Sequence, residues 1–533
     1  MQLTLKGIFE DKNDWEAVGV ELPGYDIESI RKETMSSPEW IHFGAGNIFR
    51  GFIAGLADSL IENGEMKTGI IAADSFDPEI IERIYEPFDL LTLSVGLKSD
   101  GNCIKKVTAG IGAAVKADKD NMKSLEELAS KPSLKMISFT ITEKGYACTD
   151  ISGNVLPWVV ADITAGPEAP STAMGIVTAM LHARYRSGAG PIAMVSMDNC
   201  SQNGMKLKSG VMFMAEKWQE QGFVDGDFID YIADETRVSF PWTMIDKITP
   251  RPDSALAEQL KGLGVEDMDP IITAKNTYIA PFVNAEIPQY LVIEDSFPNG
   301  RPPLEDAGVY MTDRDTVNKA EKMKVMTCLN PLHTALAITG CLLGYTKIAD
   351  EMNDEDLKKL AVLLGEEGMP VVVSPGIINP EDFIKEVLEE RLPNPYLPDT
   401  PQRIATDTSQ KLSIRFGETI KGYSSKNAVN EMKIIPFVIA AWFRYLMAVD
   451  DEGHDMQLSS DPMLENVKKS VETLKLGVAD QDVSGVNYIL SNKELFGVNI
   501  LEMGDMADKI KKHLSDMLTG PGAVRKELHK LVL

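Results

Sequence analysis

Residues that bind metals or form disulfides are scarce in this 533-residue chain, and those present are scattered. The five cysteines (Cys103, Cys148, Cys200, Cys328 and Cys341) are odd in number and lie far apart, with no CxxC pair. That pattern excludes a disulfide frame and a zinc ribbon, and reads as reduced core residues of a cytoplasmic protein. The six histidines are equally dispersed, and no HExxH motif exists, so no metal site is expected. No uninterrupted apolar run approaches the ~18 residues of a membrane span. The opening MQLTLKGIFEDKNDWE lacks the basic and then apolar regions of a secretory signal. Positive charge is also short: 53 Lys and Arg stand against 80 Asp and Glu, a net charge of −27. A nucleic-acid partner or an anionic membrane would need the opposite balance. An anionic ligand would instead require cations gathered locally in a pocket.

What the chain does have is core-forming material. Hydrophobic residues make up 44% and charged residues 25%, the balance of a globular protein. The length exceeds what one core supports, so more than one domain is expected. No internal repeat or low-complexity tract interrupts it. In the first half, strand-like runs at Trp40–Phe43, 69–73, 90–94, 135–141 and 191–196 alternate with helical patterns at 50–62, 78–84 and 172–187. This alternation predicts an α/β, Rossmann-like, doubly wound domain with a parallel sheet. A further strand is expected at 289–294. Beyond Thr312 helical patterns dominate, at 319–343, 354–364, 380–390, 428–449 and 463–476. The boundary is placed near residue 310, giving an α/β domain over 1–310 and a mostly helical domain over 311–533.

The segment WIHFGAGNIFRGF is a short strand run followed by Gly44-Ala45-Gly46 and a helical pattern that includes Asn47, Ile48 and Phe49. A dinucleotide fold requires this order: the glycines admit the pyrophosphate to the backbone, and the helix N-terminus supplies N–H donors. Phe49 stands where a third glycine would complete the fingerprint, so an ordinary strand-to-helix turn explains the segment equally well on its own. Position adds weight. Asp74 ends the second strand-like run, where such folds place an acid against the adenosine ribose. Read this way, it favours NAD over NADP by repelling a 2′-phosphate; read otherwise, it caps the turn that follows.

The densest chemistry lies in EKMKVMTCLNPLHTALAITGCLLGY, where Lys322, Lys324, Asn330 and His333 sit within an apolar helical pattern. Asn330 and His333 are three residues apart and share a helix face. A satisfied core histidine would look the same, but a neighbouring buried amide needs partners that a sugar's oxygens can supply.

This segment resembles the K-x4-N-x2-H signature of the polyol-specific long-chain dehydrogenases, a family that includes mannitol 2-dehydrogenase, fructuronate reductase and tagaturonate reductase. Other stretches resemble the family in the same order: GAGNIFRGF, ITEKGY, SMDNCSQNG, FPWTMIDKITP, VIEDSFPNGRPPLEDAG and NPYLPDTPQRIATDTSQK, over residues 40–420 or so. The resemblance implies an NAD-dependent, metal-independent secondary-alcohol dehydrogenase of hexuronate or polyol metabolism. Its implied acid/base is a lysine, best matched by Lys324, with Asn199 and Asn330 holding the reacting oxygen. His333, Arg403, Lys411, Asp246 and Glu143 are implied to face the substrate. KVMTCLNPLHTAL is more similar to the uronate reductases of the family, which implies a keto-hexuronate such as D-fructuronate, reduced to D-mannonate; Arg403, Lys411 and Arg415 offer charge for its carboxylate, or else bind hydroxyls or surface acids. Tagaturonate reduction and mannitol oxidation are the alternatives within the family. A catalytically silent, NAD-sensing protein is the alternative outside it. The expected partner is a small-molecule sugar acid or polyol, with the chain a monomer or a small homo-oligomer.

One departure from the family matters. Lys324 lies six residues before Asn330, where the family has five. On a regular helix Lys324 would then sit about 180° from His333. Either a π-type bulge absorbs the extra residue, with Lys324 as the base, or Lys322 is the base. The bulge is the preferred reading.

Overall fold

A computed structural model describes every residue except Ile151, Pro398 and Ala479. It divides into two compact units: Met1–Leu97 with Asn102–Asn318, and Lys98–Gly101 with Lys319–Leu533. The first unit runs past residue 310 because the strand Tyr310–Thr312 pairs in parallel with Tyr290–Glu294 of the same unit.

The first unit is built on six parallel strands: β1 (Trp40–Phe43), β2 (Ile70–Asp74), β3 (Ile111–Lys116), β4 (Met136–Phe139), β5 (Ile192–Ser196) and β6 (Val238–Ser239). Their spatial order is β3-β2-β1-β4-β5-β6, the order of a dinucleotide-binding sheet. Every residue of β1, β2, β4 and β5 is buried, as a sheet covered on both faces demands. Alternate side chains feed two separate cores. Ile41, Phe43, Ile71, Ile137, Phe139 and Met194 point into one. Trp40, Ile70, Ala72, Met136, Ala193 and Val195 point into the other. The helices Ala173–Ser187 and Asn203–Glu220 pack on the first face, and the helical stretch from Phe49 to Glu62 packs on the second.

Two expectations about strands need correction. The run at 90–94 does not enter the central sheet. Asp89 and Leu90 take positive φ (48° and 56°), so the strand begins only at Thr92 and runs to Leu97 in a separate four-stranded sheet. The third strand of the central sheet is instead β3, IGAAVK, whose small residues and glycine carry a weak strand pattern.

The second unit is predominantly helical. Ile434–Leu446 is buried at every position. Its first amides are capped by the Glu367 carboxylate, which accepts from Ile434 N at 3.0 Å and Ile435 N at 2.8 Å. This helix packs against Asn330–Leu342, which in turn packs against Glu355–Gly368. The stretch Arg314–Leu342 is long and apolar enough to cross a membrane by length and composition, yet most of it is buried in the fold. The helix expected over 463–476 shortens to Leu464–Lys468, and the one expected over 428–449 to Ile434–Leu446.

Gly340, inside Asn330–Leu342, is a glycine of necessity. A Cβ there would lie 1.8 Å from Oε1 of Glu351. Glu351 is fully buried, and neither carboxyl oxygen has a hydrogen-bond partner. Burial, then the charges of Asp399, Asp354 and Asp350, push this acid up to about 10. The fold therefore holds a proton that the unfolded chain releases near 4.5. The folded state binds more protons, so Glu351's contribution is fully present below about pH 4.5 and is lost as the pH rises toward 10. Glu351→Gln is expected to flatten this slope and to raise the melting temperature near pH 8, by about 2–4 °C for each kcal/mol recovered. Equal melting curves for the two proteins across that range would show Glu351 ionised in the fold.

Candidate active site

In the first unit the chemistry collects at the carboxyl ends of the parallel strands, beside the β1/β4 switch point where such sheets bind ligands. β1 ends in Gly44, with φ +104°, where a Cβ would lie 2.3 Å from the Thr140 carbonyl. Glycine is required there on both counts. At Gly46 a Cβ would meet nothing within 4 Å, so the turn has an open side, and helical backbone begins at Asn47. Gly44 N donates to Ala73 O at 2.9 Å, and Tyr85 Oη donates to Ala45 O at 2.8 Å. A glycine turn locked from beneath, open above and leading into a helix fits a pyrophosphate.

Asp74 holds this turn together. Its Oδ2 accepts from Ala45 N at 2.9 Å, and its Oδ1 accepts from Phe76 N at 2.9 Å and Asp77 N at 2.7 Å. Burial raises the Asp74 carboxyl, against the lowering effect of those amides. The capping role expected as the alternative for Asp74 is thus present. The Phe49 side chain belongs to the core. It is fully buried and stacks on His42, with ring centroids 4.2 Å apart, so its side chain is turned away from the open turn. Asn47 turns inward too: its Nδ2 donates to Pro250 O at 3.2 Å, and its Oδ1 accepts from Arg50 Nη2 at 3.2 Å. That bond brings the segment after Asp246, which is buried at the end of the strand Thr243–Asp246, up to the glycine turn.

Asn199 follows β5 and is exposed. Next to it, Asp198 accepts from Ser196 Oγ at 2.9 Å, from Cys200 N at 3.0 Å and from Tyr146 Oη, which fixes the backbone that presents Asn199. Glu143 is mostly exposed and is paired with Lys206.

The helix Arg314–Met323 passes into a π turn, Lys324–Cys328, and then into Asn330–Leu342. Leu329 N donates to Lys324 O, five residues back, at 3.1 Å. The wider turn takes up one residue, so the six-residue spacing from Lys324 to Asn330 acts as five. Lys324 is buried, whereas Lys322, on the preceding helix, is half-buried.

His333 Nε2 meets Asp399 Oδ2 at 2.9 Å, which makes Nε2 the protonated nitrogen when Asp399 is ionised. Burial works to raise the Asp399 carboxyl, but His333 and Arg403 prevail and hold it below its ordinary value. Arg403 Nε donates to Asp399 Oδ1 at 3.0 Å, and its side chain is 66% exposed. Lys411 Nζ donates to the carbonyls of Ile404, at 3.2 Å, and Thr406. Burial, then Arg415, lowers Lys411 to about 8. Arg415 donates to Thr334 Oγ1, which in turn donates to Asn330 O at 2.9 Å.

Asp399 thus joins His333 to Arg403, Thr334 joins Arg415 to the carbonyl of Asn330, and the Lys411 ammonium is held by backbone carbonyls. Asp399 and Thr334 were not singled out from the sequence. Asp399 lies in LPDTPQR, only four residues before Arg403, and that spacing was the available signal. No group of three or more His, Cys, Asp or Glu side chains is placed to hold a metal ion among the described residues.

Residues 38–306 match the family description Mannitol dehydrogenase Rossmann domain, and residues 316–518 match Mannitol dehydrogenase C-terminal domain. The chain is 52% identical over 529 residues to the D-mannonate oxidoreductase of Thermotoga maritima, covering 98% of each chain. It is 28% identical to the polyol:NADP oxidoreductase of Gluconobacter oxydans, covering 85% of this chain and 87% of that protein. Among solved structures, the Pseudomonas fluorescens mannitol 2-dehydrogenase in ternary complex with NAD and D-mannitol aligns over 100% of this chain and 99% of its own, at 26% identity and a TM-score of 0.74. Both halves of the fold match in sequence and in chain order, and the chain belongs to the mannitol dehydrogenase family.

Proposed function

We propose that this chain is an NAD-dependent oxidoreductase that reduces the ketone of D-fructuronate to the secondary alcohol of D-mannonate and catalyses the reverse oxidation. The observation that carries the reading is the 52% identity, over 98% of both chains, to a D-mannonate oxidoreductase. The buried lysine, the His333–Asp399 pair and the cations beside them support it from the structure. Its setting is the reducing cytoplasm, where the five cysteines remain free thiols.

Bound NADH supplies the hydride that adds to the ketone carbon. The protein's own task is the oxygen, on which negative charge develops as that bond forms. Asn199 and Asn330 are assigned to it as N–H donors. The Lys324 ammonium gives it a proton in reduction and takes the proton back in oxidation. His333, with Nε2 held by Asp399, has Nδ1 available to accept from a substrate hydroxyl. The glycine turn receives the pyrophosphate, and Asp74 stands beside the ribose.

Lys324→Ala is expected to lower turnover by about 10²–10⁴ and to flatten the pH dependence, while NADH binding followed by fluorescence stays near normal. Lys322→Ala should do much less. Should Lys322→Ala be the crippled enzyme instead, the proton comes from the other lysine and the π turn has a different purpose. If both variants work, the lysine mechanism fails, and Lys411, with its lowered pKa, becomes the next lysine to test.

Asp74→Ser is expected to weaken NADH binding and to narrow the preference for NADH over NADPH, since it removes both the charge and one of two acceptor oxygens. It should also lower the melting temperature, because Asp74 caps three amides. An unchanged cofactor ratio with a lowered melting temperature would leave Asp74 as a turn cap alone.

Activity is expected to withstand exhaustive dialysis against EDTA. A loss that zinc or manganese restores would overturn the lysine as the sole acid.

A further inference from the structure

Arg50, Arg184 and Arg444 are fully buried and Arg415 is partly buried, and the fold treats Arg415 differently from the other three. Arg184 spends its guanidinium on backbone carbonyls: Gly190, Ala129, Lys131, Leu134, Ala189 and Pro191 all accept from it within 3.2 Å. Arg50 donates to Ala280 O at 2.8 Å and to Asn47 Oδ1. Arg444 donates to Val449 O at 2.5 Å and Asp450 O at 2.8 Å. Arg415 has a single hydroxyl, Thr334 Oγ1, and no carboxylate pairs with it among the described residues. A guanidinium cannot shed its charge near neutral pH, so a partly buried one with a single neutral partner is short of an anion.

We infer that Arg415 is the residue that receives the substrate's carboxylate, and so the residue that makes a keto-uronate the preferred substrate over a neutral ketose. The inference rests on the proposed uronate reductase activity and goes beyond it by choosing among the three cations. Arg403 is already neutralised by Asp399, and its side chain is mostly exposed. Lys411 directs its ammonium at the backbone carbonyls of Ile404 and Thr406. Arg415 has free donors and the planar fork that matches a carboxylate in two parallel hydrogen bonds. It is also anchored to the right helix. Its hydroxyl partner, Thr334, follows His333 and bonds the carbonyl of Asn330. A carboxylate held by Arg415 is thereby indexed to the residues assigned to the ketone oxygen and the hydroxyls. A planar fork on a partly buried stem sets one distance from that carboxylate to the helix, which is the property a specificity group needs.

The test compares kcat/KM for D-fructuronate and for D-fructose, with NADH, in the full-length wild type and in Arg415→Met and Arg415→Lys. The uronate-to-ketose ratio is expected to fall about 10²–10³-fold in Arg415→Met, the scale of losing one partner from a desolvated charge pair. Any loss common to both substrates cancels in that ratio. Arg415→Lys should recover part of it by restoring charge without the fork. A ratio that stays within about threefold of wild type in Arg415→Met overturns the inference while leaving the proposed function intact. If Arg415→Met does not fold by circular dichroism, Arg415→Lys decides: a fall of tenfold or so in the ratio supports the inference, and an unchanged ratio overturns it. A wild-type enzyme that reduces fructose but no keto-uronate overturns the proposed function itself, and the inference with it.

Discussion

Much of the second unit's chemistry hangs on one hydrogen bond, from the amide of Leu329 to the carbonyl of Lys324, five residues back rather than four. A regular helix through the same residues would turn Lys324 away from the face that carries Asn330 and His333. The π turn costs some hydrogen-bond geometry and gains register. It also explains the proline at the first turn of the next helix. Pro331 has no N–H to donate, and the break at Leu329 (φ −131°, ψ −61°) lets a fresh helix start there without a lost bond. Other π turns occur at Phe49–Ile53, Ile81–Tyr85, Val387–Arg391 and Ser413–Gly417, and the last of these carries Arg415.

Asp74 plays a comparable part in the first unit by a different means. Three backbone amides converge on one buried carboxylate, so the glycine turn and the loop after β2 are clamped to each other. The proposed function gives the same carboxylate to the ribose, and under that assignment a cofactor preference set here is tied to the stability of the fold.

The sequence carried the doubly wound architecture well, because β1, β2, β4 and β5 are mostly apolar runs, each with a single polar residue, and are buried at every position, as strands covered on both faces must be. It carried β3 poorly, since IGAAVK offers small side chains that look like neither element, and 90–94 drew attention instead with a stronger β pattern. The unusual six-residue lysine spacing was legible as a demand for a bulge, because helix geometry leaves few other ways to satisfy it. Pairings were not legible. Nothing in a linear pattern distinguishes Arg403, tied to Asp399 and exposed, from Arg415, partly buried beside Thr334. The stacking of Phe49 on His42 was not legible either, since it depends on a strand-to-helix crossing that exists only after folding.

Glu351 and Arg415 show why burial means opposite things for the two kinds of charge. Both contact the helix Asn330–Leu342, Glu351 at Gly340 and Arg415 at Thr334, and neither has an ion-pair partner among the described residues. A carboxyl in that position takes up a proton, and Glu351, pushed up to about 10, is neutral at pH 7 and asks for nothing further. Burial lowers Arg415 too, but only to about 10, so it remains a cation at the same pH. Protonation therefore resolves the acid internally, while the guanidinium stays unresolved until an anion arrives. In a chain with 27 excess negative charges, carboxylates are plentiful, so a partly buried arginine left without one is a place that folding has kept open. The acid is consistent with packing alone; the arginine is the group to which the substrate's carboxylate is assigned.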